Sequence, residues 1–473
     1  MNSRILAADV PSHVGQRVTI AGWLHRRRVL KSVTFLIIRD RSGLAQVVLR
    51  HPATATAPPE AAALPEEAAR PEAAALPQEP ALPREPALPR EPALPQEPAL
   101  PEETVIAVEG LATASPQAPG GAELTDPVIT ALSEPAAPPP FDLYRPAITA
   151  SLPAILDHAP TTLRHPRMRA GFEISAASVA GFRSALDDMG FTEVHTPKIV
   201  GSPTESGATT FGIDYFGHPA YLAQSPQFYK QALVGVFERV FEVGPVFRAE
   251  PHDTARHLAQ YTSLDAELGF ITDHQDVMSV LRDTIAGMLA GVSARARSAV
   301  DLLGLALPAV PGKIPQLSFC DAQELIASES DRDPRGEPDL SPADERWLCE
   351  WAVREQGSEF LFVTGYPMAK RPFYTHPDPA HPGASNGFDL LFRGLELVTG
   401  GQRLHRHADY LAALAERGED PRPYSSYLQV FEHGMPPHGG FAIGLERWTA
   451  RLTGAANVRQ VTLFPRDLHR LSP

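Results

Sequence analysis

The hexapeptide EPALPR begins at Glu79 and returns at Glu85, and EPALPQ and EPALPE follow at Glu91 and Glu97. Proline has no amide hydrogen to donate, and its ring clashes with the preceding helical turn. Neither a helix nor a sheet ladder can run through such a repeat. The Pro/Ala/Glu tract, residues 52–103, is therefore expected to be an extended, disordered insertion with polyproline-II character. Anything compact must be built from the sequence on its two sides. The tract carries ten Glu and three Arg, half of the net charge of −14, so the remainder is only mildly acidic.

Both flanks read as strands. Arg17–Trp23, Val33–Arg39 and Leu44–Leu49 precede the tract, and Thr104–Glu109 and Glu123–Ile129 follow it. They are rich in β-branched residues and bounded by turn signals such as Asp40–Gly43. Five short strands in residues 1–132 predict a small barrel of the OB-fold type, a fold that binds oligonucleotides on one face. On its first connection His25, Arg26, Arg27, Arg28 and Lys31 crowd what reads as one small turn. After a Pro-rich linker, residues 133–160, the pattern changes. Residues 161–473 hold helical spacings at Gly171–Met189, Gln227–Phe237, Asp276–Val292 and Ala343–Gln356, separated by strand-like runs. Strands that follow one another without regular βαβ alternation predict an antiparallel sheet flanked by helices, an α+β domain.

Several classes are set aside on the same reading. No run of about 18 uncharged apolar residues is present, and no basic stretch leads into an apolar segment at the N-terminus. A cytoplasmic protein without a membrane anchor is expected. Cys320 and Cys349 have no CxxC spacing and no histidine cluster beside them, and are expected to be reduced core residues. Neither GxxxxGK[ST] nor GxGxxG occurs, which argues against Walker and Rossmann nucleotide sites.

Four stretches set polar groups into otherwise apolar strands. In FEVGPVFRAEPHDTARH, residues 241–257, Arg248 and Glu250 share a strand face by their i, i+2 spacing, and Arg256 and His257 return after a short loop. This is either a surface ion-pair hairpin or a nucleotide clamp. In GFAIGLERWTARL, residues 440–452, Arg447 follows Gly444 and can stack on a base or pair with a phosphate. In GFDLLFRGLELVTGGQRLHRH, residues 387–407, Asp389 and Glu396 stand seven apart on what reads as one long strand. An odd offset puts them on opposite faces, so sharing Mg²⁺ requires a bulge or a twist. Arg403 in that stretch suits a carboxylate clamp. AQSPQFYKQ, residues 223–231, supplies Gln224, Gln227 and Lys230 at the start of a helix.

Taken together, these stretches resemble a class II aminoacyl-tRNA synthetase, specifically the aspartyl-tRNA synthetases of archaeal/eukaryotic type. FTEVHTPKIV with Pro197 resembles motif 1, which builds a dimer interface; FRAEPHDTARH resembles motif 2 and GFAIGLERW motif 3. QSPQFYKQ, GGQR and the closing LFPRDLHRLSP resemble the aspartate-specific branch. The resemblance implies ATP as a substrate, Mg²⁺ as a cofactor and a homodimer. It assigns Glu205, in PTESGATTF, to the amino group of aspartate. Gln224, Gln227 and Thr399 would hold the amino acid, with Lys230 and Arg403 bracketing its side-chain carboxylate. Arg248 and Arg447 would be the catalytic cations, Arg248 touching both substrates. Glu250 would bind the adenine, with Arg256, His257 and Leu258 at the far end of ATP. Gly444, Leu445, Glu446 and Arg447 would close over it, and Glu396 would touch both ATP and the ion. Asp389, Glu396 and Thr399 would hold Mg²⁺. The chain departs from the family pattern at Ser206, where glycine is usual, at Pro251 for glutamate, and at Thr399 for serine.

Three alternatives stay open: an asparaginyl or lysyl synthetase, an enzyme restricted to tRNA(Asp), and a non-catalytic OB-fold protein that binds RNA. Relatives restricted to tRNA(Asp) tend to carry Trp at the place of His25 and Lys at that of Pro119. The present pair resembles the non-discriminating members, which charge tRNA(Asp) and tRNA(Asn). Arg26, Arg27, Arg28 and Lys31 would then contact phosphates, giving affinity without sequence choice. A mischarged Asp-tRNA(Asn) in turn implies a tRNA-dependent amidotransferase.

Overall fold

The computed structural model describes residues 3–51, 100–202 and 209–473, so most of the Pro/Ala/Glu tract and Glu205 lie outside the described residues. The chain divides into two compact units, Met1–Arg145 and Pro146–Pro473.

The first unit is a closed barrel. Its strands are β1 (Arg17–Val29), β2 (Val33–Arg39), β3 (Leu44–Arg50), β4 (Val105–Ala114) and β5 (Ala122–Ala131), in the order β1-β2-β3-β5-β4. Alternate residues turn inward, and Ile20, Leu24, Leu36, Val47, Val108 and Leu124 fill the interior. Closure runs through the short parallel pairing of β3 with β5, Gln46 to Glu123 and Val47 to Leu124. The five expected strands are all present, but β1 is longer than expected. It runs through the basic stretch, so His25, Arg26, Arg27 and Arg28 are strand residues and only Lys31 lies at the turn. The physical reason is a bulge: the pairing of β1 with β2 shifts between Leu24 and Arg26, which turns Leu24 and His25 inward in succession. The tract also ends earlier than expected. Glu103 is buried and bonds Arg39 through both carboxylate oxygens, at 2.9 and 2.8 Å, because a guanidinium inside a barrel needs a partner.

The second unit carries the remaining strands: β6 (Thr192–Glu193), β7 (Ile199–Val200), β8 (Gly212–Tyr215), β9 (His218–Leu222), β10 (Arg239–Phe247) and β11 (Gln260–Gly269). β12 (Gln316–Ser318), β13 (Phe360–Thr364), β14 (Gly387–Phe392), β15 (Leu395–Gln402) and β16 (His438–Gly444) complete the set. Eight of them form one sheet, ordered β12-β13-β14-β15-β16-β11-β10-β6. It is antiparallel from β13 to β10, and only the outermost pairs are parallel. β7, β9 and β8 form a separate small sheet. The stretch read as one long strand is a hairpin, β14 and β15, turned at Arg393 and Gly394, where both φ angles are positive (46° and 81°).

One face of the large sheet is core. Phe241, Leu264, Ala266, Phe388 and Phe441 pack there under the helices Pro166–Asp188 and His274–Arg295. The second helix is long and apolar enough to span a membrane by length and composition. Here Val277, Leu281, Ile285, Met288 and Val292 are buried against the sheet and the first helix. Cys349 is buried, and burial pushes its thiol up to about 11, whereas Cys320 is exposed and not the core residue expected.

The two helices cross at glycine. A Cβ on Gly181 would stand 2.4 Å from the carbonyl oxygen of Gly287. Alanine adds helix propensity of at most about 1 kcal/mol, while overpacking at a backbone contact costs about 1–3 kcal/mol. Gly181→Ala is therefore expected to lower the urea midpoint of unfolding; an unchanged or higher midpoint would contradict the close crossing.

Candidate functional site

The opposite face of the sheet is polar, and alternation explains why. On β11, Leu264, Ala266 and Leu268 turn into the core, so Ser263, Asp265 and Glu267 turn the other way. The helix Gln227–Phe237 brings Lys230 above them. Its Nζ lies 3.1 Å from Asp265 Oδ1 and 3.2 Å from Glu267 Oε2. Arg403, just past β15, donates from Nε to Glu267 Oε1 at 2.9 Å and from Nη2 to the Gly440 carbonyl at 3.1 Å. All four side chains are buried. Buried ions persist only when paired, and here two cations meet two carboxylates. Burial works to raise the Glu267 carboxyl, but Arg403 and Lys230 hold it below its ordinary value.

A neutral network supports this quartet. Gln231 Nε2 donates to His438 Nε2 at 2.8 Å, and His438 Nδ1 donates to the Pro436 carbonyl at 2.9 Å. Those partners require the neutral imidazole, and burial pushes its pKa down to about 4. Tyr427 donates to Gln231 Oε1, and Tyr410 donates to the Leu404 carbonyl.

Lys230 and Arg403 line one chamber with Gln224, Gln227, Arg248 and Thr399. Gln227 Nε2 is buried there without a hydrogen-bond partner among the described residues. Arg371 and Tyr374 line it too and were not anticipated. Arg371 is paired with both Asp389 oxygens at 3.2 Å and lies 4.1 Å from the Tyr366 ring centre.

A second chamber is lined by Arg248, Glu250, Arg256, His257 and Leu258, facing Glu396, Thr399, Gly444, Glu446 and Arg447. Arg248, Tyr261, Ser263, Thr399 and Ala442 line both chambers, so the two are continuous. Arg248 and Glu250 do not share a strand face, because β10 ends at Phe247. They reach the chamber from the loop beyond it, where the Arg248 amide bonds the Ala259 carbonyl at 2.9 Å. Leu445 does not line this chamber: its side chain packs in the core at the start of a helix. The Glu446 carboxylate accepts the Thr262 amide through both oxygens at 3.1 Å, and burial pushes it up to about 7.

Asp389 and Glu396 sit on paired strands rather than on one. Asp389 opposes Thr399 and Leu391 opposes Glu396, with a register shift between Leu390 and Leu391 that supplies the required irregularity. Burial and the Glu396 charge push Asp389 up to about 6 against the pull of Arg371. Burial works to raise Glu396 as well, but Arg447 and the Thr399 hydroxyl, 2.7 Å away, hold it below its ordinary value. Glu345, from the helix Pro342–Gln356, was not anticipated. It accepts from the Glu396 amide at 3.2 Å and from Arg256 Nη1 at 3.3 Å, and burial raises it to about 7.

On the barrel, His25 is only 3% exposed. Arg39 Nη1 donates to its Nδ1 at 2.8 Å, and the Tyr144 ring lies 5.6 Å away. Pro119 begins the short turn Pro119–Gly121 between β4 and β5. Followed through β2 and β3, the register runs from Leu24 to Ile38 to Ala45, and the next residue, Gln46, pairs with Glu123 just past that turn. Arg28 and Lys31 are exposed, whereas Arg26 stands 3.5 Å from Glu102 and 3.7 Å from Asp142.

An OB barrel in one unit and, in the other, an antiparallel sheet with a cation-rich double chamber define a class of ligase. A family model described as "tRNA synthetases class II (D, K and N)" matches residues 154–468, and an OB-fold nucleic acid binding domain matches 18–69. The chain belongs to the class II tRNA synthetases of the D, K and N group. It is 43% identical to "Aspartate--tRNA(Asp/Asn) ligase" of Thermus thermophilus over 99% of this chain and 100% of that one. It is 41% identical to the protein of the same name from Deinococcus radiodurans, over 99% of each. "Aspartate--tRNA(Asp) ligase" of Pyrococcus abyssi is 35% identical over 97% of each chain. Among solved structures, asparaginyl-tRNA synthetase from Pyrococcus horikoshii, complexed with asparaginyl-adenylate, superposes with a TM-score of 0.85. It is 27% identical, with both chains covered in full.

The buried His438 gives a pH signature. Its folded pKa of about 4 lies below the ordinary 6.5, so the unfolded chain binds the extra proton first and stability falls as pH drops below 6.5. Between pH 7 and pH 5 this amounts to about 2 kcal/mol. The raised carboxyls of Glu345 and Glu446 act in the opposite sense, so the readout is the comparison with His438→Gln. Urea unfolding at both pH values should show a pH-dependent change less favourable in the wild type than in His438→Gln by about that amount. Equal changes in the two would contradict a neutral buried imidazole.

Proposed function

We propose that this chain joins L-aspartate to tRNA(Asp) and tRNA(Asn) in the cytoplasm, through an aspartyl-adenylate made from ATP. The observation that carries the reading is the chamber above β11. Four cations, Lys230, Arg248, Arg371 and Arg403, line it, and three buried carboxylates, Asp265, Glu267 and Asp389, pair with them. Lys230 and Arg403 face the chamber from opposite ends of Glu267, a pair of cations that suits an anionic amino acid rather than a neutral amide. Lys230 and Arg403 would take the side-chain carboxylate, Gln224 and Gln227 would orient the backbone of the amino acid, and Glu205 would meet its ammonium group.

In the first step a carboxylate oxygen of aspartate attacks the α-phosphorus, a mixed anhydride forms and pyrophosphate leaves. Both reactants are anions, so the gain comes from fixed positive charge and alignment rather than proton transfer. Arg248 stands between the chambers, where it would hold the α-phosphate. Glu250 and Arg447 would hold the adenine, and Arg256 and His257 the phosphate tail. In the second step the tRNA 3′ hydroxyl attacks the anhydride carbonyl, giving the ester and AMP. Asp389, Glu396 and Thr399 offer only oxygen donors, and their two close carboxylates favour a hard cation, so they fit Mg²⁺. When bound, that ion would neutralise phosphate charge.

A homodimer through the FTEVHTPKIV segment is consistent with β6 at the sheet edge and with the groove lined by Phe172, Val179 and Leu463. For the tRNA, the burial of His25 favours an indirect role. Its imidazole accepts from Arg39, which pairs with Glu103, and the larger Trp would not fit in that buried place without moving them. Charging of tRNA(Asn) would link the enzyme to a tRNA-dependent amidotransferase.

ATP–pyrophosphate exchange by the purified protein should depend on aspartate and not on asparagine or lysine; absence of exchange with aspartate would overturn the assignment. Arg403→Ala should abolish exchange while circular dichroism stays native. The double variant His25→Trp, Pro119→Lys should favour tRNA(Asp) over tRNA(Asn) by about tenfold or more, the equivalent of one hydrogen bond. Unchanged charging of both tRNAs would remove these residues from the choice.

A further inference from the structure

Glu250, His252 and His257 project from one loop, and one ligand atom of each lies within 4.8 Å of the others. Glu250 Oε2 stands 3.6 Å from His252 Nδ1, and the two imidazole centres are 5.0 Å apart. Atoms bound at about 2.1 Å to one tetrahedral ion are about 3.4 Å apart, so small side-chain rotations in a loop would close the set. The second nitrogen of His257 is already held: Nδ1 lies 2.6 Å from Thr254 Oγ1. That bond fixes the ring and leaves Nε2 for an ion, the usual outer support of a histidine ligand. The guanidiniums of Arg447 and Arg256 stand near His257. The same guanidiniums oppose a cation, but Arg256 is turned to Glu345 at 3.3 Å and Arg447 stands 4.0 Å from Glu396. The repulsion is thus partly neutralised, and micromolar rather than tighter affinity is expected.

We infer that Glu250, His252 and His257 form a three-ligand site for a transition-metal ion of the Zn²⁺ class. Two imidazoles and one carboxylate suit Zn²⁺ or Co²⁺ and not Mg²⁺, which prefers oxygen donors. The site is separate from the oxygen set of Asp389, Glu396 and Thr399. Three protein ligands leave the fourth position open. Glu250 and His257 also line the second chamber. An ion held by them excludes ATP, so the site is inhibitory. This overlap rests on the assignment of that chamber to ATP; binding of the ion does not.

The test uses the full chain with Cys320→Ser, which removes the exposed thiol, and Co²⁺ as the probe. One equivalent should give the visible bands of four- or five-coordinate Co²⁺, displaced by Zn²⁺ and not by Mg²⁺. His252→Asn should abolish the bands, and Thr254→Val should weaken binding roughly tenfold. Bands that persist in His252→Asn, or a purely octahedral spectrum, would overturn the site. In aspartate-dependent exchange with Mg²⁺ present, micromolar free Zn²⁺ should inhibit the parent and spare His252→Asn, with equal rates when Zn²⁺ is left out. Equal inhibition of both would overturn the overlap with ATP. Absence of exchange with Mg²⁺ present and Zn²⁺ removed would overturn the assigned reaction, while the Co²⁺ spectrum would still decide the site.

Discussion

The second unit is organised around a charge balance inside a sheet. Asp265 and Glu267 stand on the polar face of β11 and would not tolerate burial alone. Lys230 and Arg403 would not tolerate it either. Brought together, with Lys230 Nζ 3.1 Å from Asp265 and Arg403 Nε 2.9 Å from Glu267, each makes the other's burial possible. Removing one member would leave an uncompensated charge, at a cost of about 3–5 kcal/mol. The helix Gln227–Phe237 and the end of β15 are tied to β11 through these bonds, and so is the floor of the first chamber.

The supporting elements follow from that demand. His438 must stay neutral, because a further cation beside Arg403 and Lys230 would upset the balance. Gln231 and the Pro436 carbonyl fix the tautomer that meets it. The hairpin of β14 and β15 supplies Asp389 and Glu396, and its register shift sets their spacing. Arg371 answers Asp389 while still facing the first chamber, so the β14–β15 hairpin and that chamber share one ion pair. The barrel uses the same device on a smaller scale, with Arg39 and Glu103 buried as a pair and His25 hydrogen-bonded to Arg39.

Much of this was legible in the sequence. The five barrel strands, the helix at Gln227–Phe237 and the polar insertions around Arg248, Glu396, Arg403 and Arg447 were visible as periodicity and as residue types out of place. What was missed has physical causes. His25 was read as a turn residue because a bulge cannot be seen in an alternating pattern that it breaks. Asp389 and Glu396 were read on one strand because Arg393-Gly394 lacks an Asn-Gly or Asp-Gly signal. Asp265 and Glu267 carried a signal that was available, two acids alternating with Leu264, Ala266 and Leu268. Arg371 and Glu345 carried none, since their partners are distant in sequence. Leu445 shows a further limit: its side chain faces the core, so only its backbone is left to face a ligand.

The claim on which the rest depends is that the buried quartet makes the first chamber selective for a carboxylate. Calorimetric titration of the wild type with L-aspartate and with L-asparagine, in the presence of a non-hydrolysable ATP analogue, tests it most directly. Aspartate should bind about a hundredfold more tightly or better, as expected where a site's charges are matched by one ligand and left unmatched by its isostere. Equal affinity, or tighter binding of asparagine, would contradict the assignment of Lys230 and Arg403 to the side-chain carboxylate.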